Sequence, residues 1–404
     1  VSSIGGRDLG DANATRCTLE TARAACSLKP QVNVTSYSSS TSKAERISHV
    51  HPPVHLTALR LQKLTTMSSK EIVRDPSHAG SWYTASKLQL NSQLEGWLNE
   101  VKKPVKCIGP QSEGQTITDL PLDGARVIIA PHAGYAYSGP AAAWAYKLWD
   151  VSKAKRVFLL GPSHHHYLSK AALSRCTHYG TPLGNLPVDR DTTAELYKAG
   201  LFEWMSQSID EDEHSLEMHL PYIFKMLSNQ FGNDPSNFPL LVPIMVGNTS
   251  ATTEKALGKL LAPYLADPTT AFVISSDFAH WGSRFRYTYY RPTPGGAGQM
   301  LSASAKVKDR AIHESIKEVD FECMGACESG SHEKWLDVLE DTGNTVCGRH
   351  PIGVIMSAIE ELRTGGQGIH QGAGQFRFVR YERSSEVKRA GESSVSYASA
   401  VALV

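Results

Sequence analysis

The 404-residue chain lacks long hydrophobic runs, and its positive and negative charges nearly cancel. No apolar segment approaches the roughly 18 to 20 residues that a membrane-spanning helix needs, so the sequence predicts no membrane span. With 41 Lys and Arg residues against 40 Asp and Glu residues, the formal charge of +1 creates only a weak long-range field. Charge therefore gives no support to a nucleic-acid or membrane-surface partner.

Cysteine is scarce, and two common catalytic motifs are missing. The seven cysteines are an odd number scattered over a long chain, unlike the dense, paired framework of a small secreted domain. This favours a reducing compartment, which means the cytoplasm or the nucleus. The sequence holds neither a Gly-x-x-x-x-Gly-Lys phosphate loop nor a Gly-x-Ser-x-Gly nucleophile elbow. Hydrolysis through Ser163, or through a triad of Cys347, His280 and Asp277, is therefore an unfavoured alternative.

Residues 1–66 differ in composition from the rest of the chain. They are rich in Ser and Thr and poor in acidic groups, and arginines recur, a composition that mitochondrial transit peptides share. The chain opens with Val1, and Met67 stands just before the first well-patterned segment. We interpret residues 1–66 as a disordered leader or translated upstream sequence rather than a mitochondrial signal. A single α/β domain is predicted over residues 67–404.

Apolar runs typical of buried strands alternate with helical patterns along this domain. Strands buried on both faces are predicted at 126–130, 156–160, 240–246 and 271–275. Helices are predicted from Ser86, which caps an amphipathic run, and at 140–149, 192–199, 215–227, 253–265 and 352–362. Alternating segments at 375–381 and 394–398 predict edge strands, and 104–124 and 292–305 predict loops. The pattern predicts a three-layer α/β sandwich: a central mixed, mostly parallel sheet with helices on both faces.

Three predicted strands end in histidine-bearing motifs. They are Ile129-Ala-Pro-His132, Leu160-Gly-Pro-Ser-His164-His165 and Ile274-Ser-Ser-Asp277-Phe-Ala-His280. Because ligands of open α/β sheets gather beyond the carboxyl ends of strands, we expect these side chains to meet in one crevice. His280 is suited to proton transfer at neutral pH, and Asp277 is expected to raise its pKa and fix its tautomer. His165 is a candidate to orient a ligand.

A cysteine and several aromatic residues are further candidates. Cys347 leads into the helix predicted at 352–362, whose positive end would favour a thiolate, so it is a candidate ligand or nucleophile. Trp82, Tyr135 and Tyr137 are expected to line the crevice and stack on an aromatic ligand. We interpret the acidic run 210–213 as charge at a helix N-terminus.

Seven strings in the chain together resemble the Memo family, named for a mediator of ErbB-driven cell motility. The resemblance runs from about residue 75 to residue 402. The strings are Ser77-His-Ala-Gly-Ser-Trp-Tyr83, Ile129-Ala-Pro-His-Ala-Gly-Tyr135, Gly161-Pro-Ser-His-His165, Asp210-Glu-Asp-Glu-His-Ser-Leu-Glu-Met-His-Leu-Pro-Tyr222, Ser275-Ser-Asp-Phe-Ala-His-Trp-Gly282, Arg284-Phe-Arg-Tyr287 and Cys347-Gly-Arg-His-Pro-Ile-Gly353.

The resemblance implies a fold shared with class III extradiol dioxygenases, which are non-haem iron enzymes. It implies His132, His164 and Cys347 as metal ligands, with His280 in the acid/base position and Asp277 beside it. It further implies a link to redox and metal homeostasis and to cell-motility signalling. The same cleft would receive a phosphotyrosine-containing peptide or receptor tail. Iron as Fe²⁺ is the expected metal, with copper or zinc as alternatives.

Cys347 departs from the ligand set of ring-cleaving enzymes, in which two imidazoles and one carboxylate hold Fe(II). A thiolate is softer, shifts the metal preference toward Cu(I), Zn(II) or a more easily oxidised iron, and is itself open to oxidation. Three hypotheses stand: a metal-binding redox protein, a phosphotyrosine-peptide adaptor without turnover, and an extradiol dioxygenase.

Overall fold

The computed structural model describes residues 71–365 and 374–404. The leader predicted at 1–66 lies outside the described residues. The strands are β1 (Val73–Arg74), β2 (Val105–Lys106), β3 (Thr116–Ile117), β4 (Val127–Ala130), β5 (Arg156–Pro162), β6 (Ala171–Leu173), β7 (His178–Tyr179), β8 (Leu186–Pro187), β9 (Phe202–Trp204), β10 (Leu240–Val246), β11 (Thr270–Ser275), β12 (His280–Trp281), β13 (Tyr289–Tyr290), β14 (Gln299–Met300), β15 (Phe376–Arg383) and β16 (Ser394–Ala402).

Helices cover the sheets and link them. They are α1 (Lys87–Glu100), α2 (Tyr135–Leu148), α3 (Arg190–Lys198), α4 (Gln207–Asp212), α5 (His214–Glu217), α6 (Leu220–Phe231), α7 (Ala251–Ala266), α8 (Ile312–Ser329), α9 (His332–Thr342) and α10 (Arg349–Thr364), with 3₁₀ turns at Pro235–Asn237 and Ser283–Phe285. Within the described ranges, no helix combines the length and the apolar character that crossing a membrane requires.

A nine-stranded mixed sheet forms the centre of the fold. Its middle strands β4, β11, β5 and β10 are parallel neighbours in that order. On one side, β16 pairs antiparallel with β4, and β15 pairs antiparallel with β16. On the other side, β6 pairs antiparallel with β10 and parallel with β9. The predicted mixed, mostly parallel sheet is confirmed.

Alternate side chains of the central strands enter two separate cores. In β5, Val157 and Leu159 pack into the core that α1, α2 and α6 cover. Phe158 and Leu160 point to the opposite face and pack into the core that α7, α8, α9 and α10 cover. Since successive residues of a strand face opposite sides, a continuous apolar run is what a sheet between two helical layers requires. The predicted three-layer sandwich is therefore confirmed.

Some helices and loops differ from those predicted from the hydrophobic pattern, because other features of the sequence determine the local structure there. The helix predicted at 215–227 is split into α5 and α6, because Pro221 has no N–H to continue the helical ladder and instead occupies the first turn of α6. The loop predicted at 104–124 contains the hairpin β2–β3. Helices α8 and α9 were not predicted. In α8 the buried face includes Asp320 and Glu328, which interrupt the apolar period.

Candidate metal centre

The carboxyl ends of three neighbouring parallel strands bring the histidine motifs together. His132 follows β4 by two residues, Asp277 follows β11 by two, and His164 follows β5 by two. Because β11 lies between β4 and β5, these residues emerge at one edge of the sheet. The ring centroids of His132 and His164 are 5.2 Å apart. His132, His164 and Asp277 therefore lie at one edge of the sheet, as expected from the order of the strands.

Cys347 joins the two histidines from the loop before α10. Its Sγ lies 3.1 Å from His132 Nε2, and one donor atom from each of His132, His164 and Cys347 lies within 4.8 Å of the other two. The backbone N–H of Asp277 donates to Sγ at 3.1 Å. Burial, followed by the Asp277 charge, raises the pKa of Cys347 well above its usual value. The thiol therefore keeps its proton at neutral pH unless a cation stabilises the thiolate.

The hydrogen bonds of His132 fix which of its nitrogens is free. Nδ1 lies 2.6 Å from Ser275 Oγ, and the Ser275 hydroxyl donates its single hydrogen to the carbonyl of Ser215 at 2.7 Å. Ser275 Oγ must therefore accept from Nδ1–H, which leaves the Nε2 lone pair facing Cys347. Burial, and then the neighbouring imidazoles led by His164, lower the pKa of His132 well below its usual value. The ring is neutral, as a metal ligand must be.

Glu213 fixes His164 in the same way. His164 Nδ1 lies 2.8 Å from Glu213 Oε1, and the His164 backbone N–H donates to Oε2 at 2.6 Å. Although burial opposes ionisation, the contacts with His164 lower the pKa of Glu213 to about 2. The carboxylate accepts from Nδ1–H and leaves Nε2 as the free donor atom. A carboxylate behind a ligand imidazole is the usual support of a protein metal site.

His280 is held by backbone carbonyls and not by Asp277. Its Nδ1 lies 2.9 Å from the carbonyl oxygen of Phe278 and 3.2 Å from that of Thr345, so Nδ1 carries the proton and Nε2 the lone pair. Burial lowers the pKa of His280. The expectation that Asp277 raises this pKa and fixes the tautomer is wrong, because the Asp277 carboxyl is buried and accepts from the backbone N–H of His132 at 2.8 Å. Burial raises the pKa of Asp277 to about 7.

Comparison with known proteins assigns the family. The model of the family described as Memo-like protein matches residues 74–401. This chain belongs to the Memo family.

Relatives of the chain carry the same family name. "Protein MEMO1" of Danio rerio is 45% identical over 84% of this chain and 100% of its own length. "Protein MEMO1" of Homo sapiens is 44% identical over 82% of this chain and 98% of its own length. "Protein memo-1 homolog" of Caenorhabditis elegans is 36% identical over 85% of this chain and 86% of its own length.

Among solved structures, an uncharacterized protein of Escherichia coli K12, JW3007, is 11% identical to this chain. It covers 61% of this chain and 86% of its own, with a TM-score of 0.35. A likeness this weak adds nothing to the family assignment.

His214 lies beside the candidate ligands and was not singled out from the sequence. Its ring stacks on His164 with centroids 4.5 Å apart, and lies 5.5 Å from His132 and 4.4 Å from Trp82. Its position at the end of an acidic run concealed it, although it belongs to the family string that begins at Asp210. His164, Glu213 and His214 also form a compact donor group, but Glu213 already accepts from His164. We interpret that group as support for His164.

Two acids of the run 210–213 are buried partners in addition to the predicted helix-end charge: Asp210 lies in the first turn of α4, and Glu213 caps α5 by accepting from the Ser215 N–H at 2.9 Å. Asp210 pairs with the buried guanidinium of Arg74, and Glu213 holds His164. Four residues on, Glu217 accepts from Arg74 at 2.7 Å and from the Tyr83 hydroxyl at 2.9 Å. Each carboxylate has donors inside the fold, which an acidic run alone does not reveal.

The aromatic residues expected at the cleft differ in exposure. Trp82 is 37% exposed and Tyr137 is 59% exposed, whereas Tyr135 is buried and its hydroxyl donates to the carbonyl of Met218. His165 is exposed, with its ring 5.7 Å from His214. Trp82 and Tyr135 both border a surface cavity of about 380 Å³. The structure therefore leaves Trp82, Tyr137 and His165 accessible and assigns Tyr135 a packing role.

Proposed function

We propose that this Memo-family protein binds one transition-metal ion through Nε2 of His132, Nε2 of His164 and Sγ of Cys347. The observation that supports the proposal is the convergence of the three donor atoms within 4.8 Å. The other nitrogen of each ring donates to a fixed acceptor, Ser275 or Glu213, so both lone pairs are directed before any ion arrives. We further propose a role in redox chemistry or metal homeostasis in the cytoplasm.

The donor set fits a soft or borderline ion. Two neutral imidazoles and one thiolate suit Fe²⁺, Cu(I) and Zn²⁺, and a site with three protein ligands leaves a position open. Fe²⁺ remains the expected ion, with copper or zinc as alternatives. Bound iron or copper would supply Lewis acidity and one-electron chemistry.

Groups of the protein itself would act on a molecule bound at that open position of the metal. His280 is neutral, and its Nε2 is free to accept a proton, while the carbonyls of Phe278 and Thr345 hold its ring. The backbone N–H of Asp277 donates to the sulfur of Cys347 and keeps it in place. The buried Asp277 carboxyl accepts from the His132 backbone N–H and so ties the end of β11 to the loop of His132.

Metal analysis of protein purified without oxygen tests the proposal. We expect about one ion per chain in the wild type. Cys347→Ser and His164→Gln should each reduce the occupancy strongly, whereas His166→Ala, a change at an exposed neighbour, should not. Circular dichroism would verify that the variants are folded. Equal metal content in all four proteins would remove the proposal.

A second candidate function, phosphotyrosine-peptide binding in cell-motility signalling, is supported by the exposed rings of Trp82 and Tyr137. Calorimetry with a tyrosine-phosphorylated peptide should give heat that Tyr137→Ala diminishes. An unchanged heat of binding in Tyr137→Ala would count against this function.

The thiolate makes extradiol ring cleavage the least favoured function, and absence of oxygen uptake with a panel of catechols would exclude it.

A further inference from the structure

One edge of the central sheet borders a cavity that none of the candidate metal ligands lines. The cavity has a volume of about 700 Å³ and is lined by the β2–β3 hairpin, by α8 and by the middle of β15. Among the described residues, strand β15 pairs only with β16, so its outer edge is the edge of the nine-stranded sheet there. An uncovered strand edge presents N–H and C=O groups that can pair with another chain.

The edge of β15 is covered at its start and open beyond it. The backbone N–H of Ile108 donates to the carbonyl of Phe378 at 2.8 Å, so the segment after β2 runs beside β15 at that point. The register of β15 against β16 shifts between Phe378 and Arg380, and Val379, Arg380 and Tyr381 then line the cavity. The cavity therefore opens where the neighbouring segment leaves the strand. From Val379 to Arg383 the edge is roughly 17 Å long, enough for a five-residue strand.

Aromatic side chains form a fixed floor in this cavity. The rings of Phe321 and Tyr381 meet edge to face with centroids 5.4 Å apart. The Tyr381 hydroxyl donates to the buried carboxyl of Asp320 at 2.8 Å, so the ring is anchored from behind. A preformed floor lowers the entropic cost of binding because these side chains are already ordered.

The charge around the cavity is mainly positive. Lys106, Lys317 and Arg380 line it, and Glu113 is the acidic residue among the described lining residues. Arg380 pairs with Glu382, whereas Lys106 and Lys317 form no ion pair within the described part of the chain. Lys317 Nζ lies 4.9 Å from the centre of the Phe321 ring, at the margin of the aromatic floor. An acidic partner would find complementary charge on both walls.

We propose that an acidic, extended segment of a partner protein binds this cavity by adding a strand to the edge of β15 at Val379–Arg383. Backbone pairing with β15 supplies the register, and an apolar side chain of the segment rests on Phe321 and Tyr381. Carboxylates of the segment face Lys106 and Lys317. Charged residues can also serve only to discourage pairing at a sheet edge, and the experiment separates the two roles.

Hydrogen–deuterium exchange of the full chain with a synthetic peptide tests the proposal. The probe is the acetylated and amidated peptide Glu-Val-Glu-Phe-Glu-Val-Glu, added in excess. We expect slower amide hydrogen exchange in the proteolytic fragment of the protein that covers Val379–Arg383. A peptide with Lys in place of every Glu, and an acidic peptide with Pro in place of both Val residues, should give no protection, because the first carries the opposite charge and the second lacks two backbone N–H donors and cannot pair as a regular strand.

A charge-reversal variant of the protein provides a second test of the proposal. The double variant Lys106→Glu with Lys317→Glu should weaken binding of the acidic peptide by about tenfold or more. Lys255→Glu, an exposed change on α7 outside the cavity, should leave the affinity unchanged. The proposal is overturned if the acidic peptide fails to protect the fragment, if the basic or proline peptide protects it equally, or if the double reversal leaves affinity unchanged.

Discussion

Replacing Glu213 by Gln should weaken metal binding without removing a ligand. Glu213 accepts from both His164 Nδ1–H at 2.8 Å and the His164 backbone N–H at 2.6 Å. A glutamine has one acceptor oxygen and one NH₂ group, so one of these two donors would face another donor. His164 would then lose either its ring orientation or the anchor of its loop. The loss should affect affinity while His132 and Cys347 remain in place.

The expected magnitude follows from the role of such carboxylates. Removing the partner of a ligand imidazole typically costs about 10- to 100-fold in metal affinity, which is roughly 1.4 to 2.7 kcal/mol. The effect should fall in the upper part of this range, because Glu213 is 1% exposed and water cannot easily take its place. The folded structure should persist, since Gln keeps the volume of Glu.

Competition between the protein and a coloured zinc chelator would measure this affinity for the wild type and Glu213→Gln. Asp212→Asn is the matched control, because it removes one carboxylate from the same run at an exposed position. An unchanged affinity in Glu213→Gln, or an equal loss in Asp212→Asn, would refute the assignment of His164 as a ligand supported by Glu213.

Three further changes give separate outcomes. Burial alone would raise the pKa of Glu217, but contacts with His78 and Arg74 outweigh it and lower the pKa from 4.5 to about 2, so the stabilisation by the carboxylate is complete above pH 4.5 and is lost as the pH falls toward 2. Glu217→Gln should therefore lower the free energy of urea unfolding by about 3 kcal/mol at neutral pH. A difference between wild type and variant that is as large near pH 3 as at neutral pH would contradict this. Tyr381→Phe removes a donor from the buried Asp320 and should cost about 1 to 3 kcal/mol in the same assay, and a neutral result would contradict the anchoring of that ring. In Gly348→Ala the new Cβ would overlap Ser276 and the Ser275 carbonyl. The variant should therefore lose about 1 to 3 kcal/mol of unfolding free energy and bind less metal. Full metal occupancy would show that the Cys347 loop tolerates displacement.

The layered fold was predictable because its signals are local. The continuous apolar runs of β4, β5, β10 and β11 follow directly from burial on both faces, and the periodicity of α1 follows from burial on one. Helix α8 was not predictable in this way. Its buried Asp320 is satisfied by Ala279, Asn344 and Tyr381, which are distant in sequence, so only the folded chain explains a carboxylate on the inner face.

The site was predictable in its ligand candidates but not in their supports. Three strand ends point to His132, His164 and His280 because parallel neighbours end at one edge of a sheet. Cys347 came from its position before a helix and from the family resemblance. Neither signal identifies Ser275, Glu213 or His214, because a hydroxyl, a carboxylate in an acidic run and a ring beside it have common alternative roles. Their hydrogen bonds and ring contacts exist only once β5 and α5 are packed together.

X-ray absorption spectroscopy of the zinc-loaded protein tests the central claim most directly, because zinc has no redox chemistry of its own. We predict one sulfur scatterer at about 2.3 Å and nitrogen scatterers at about 2.0 to 2.1 Å. The sulfur contribution should disappear in Cys347→Ser, and the imidazole contribution should fall in His164→Gln. A wild-type spectrum without sulfur, or a sulfur scatterer that persists in Cys347→Ser, would contradict the claim that Cys347 and the two histidines hold one ion.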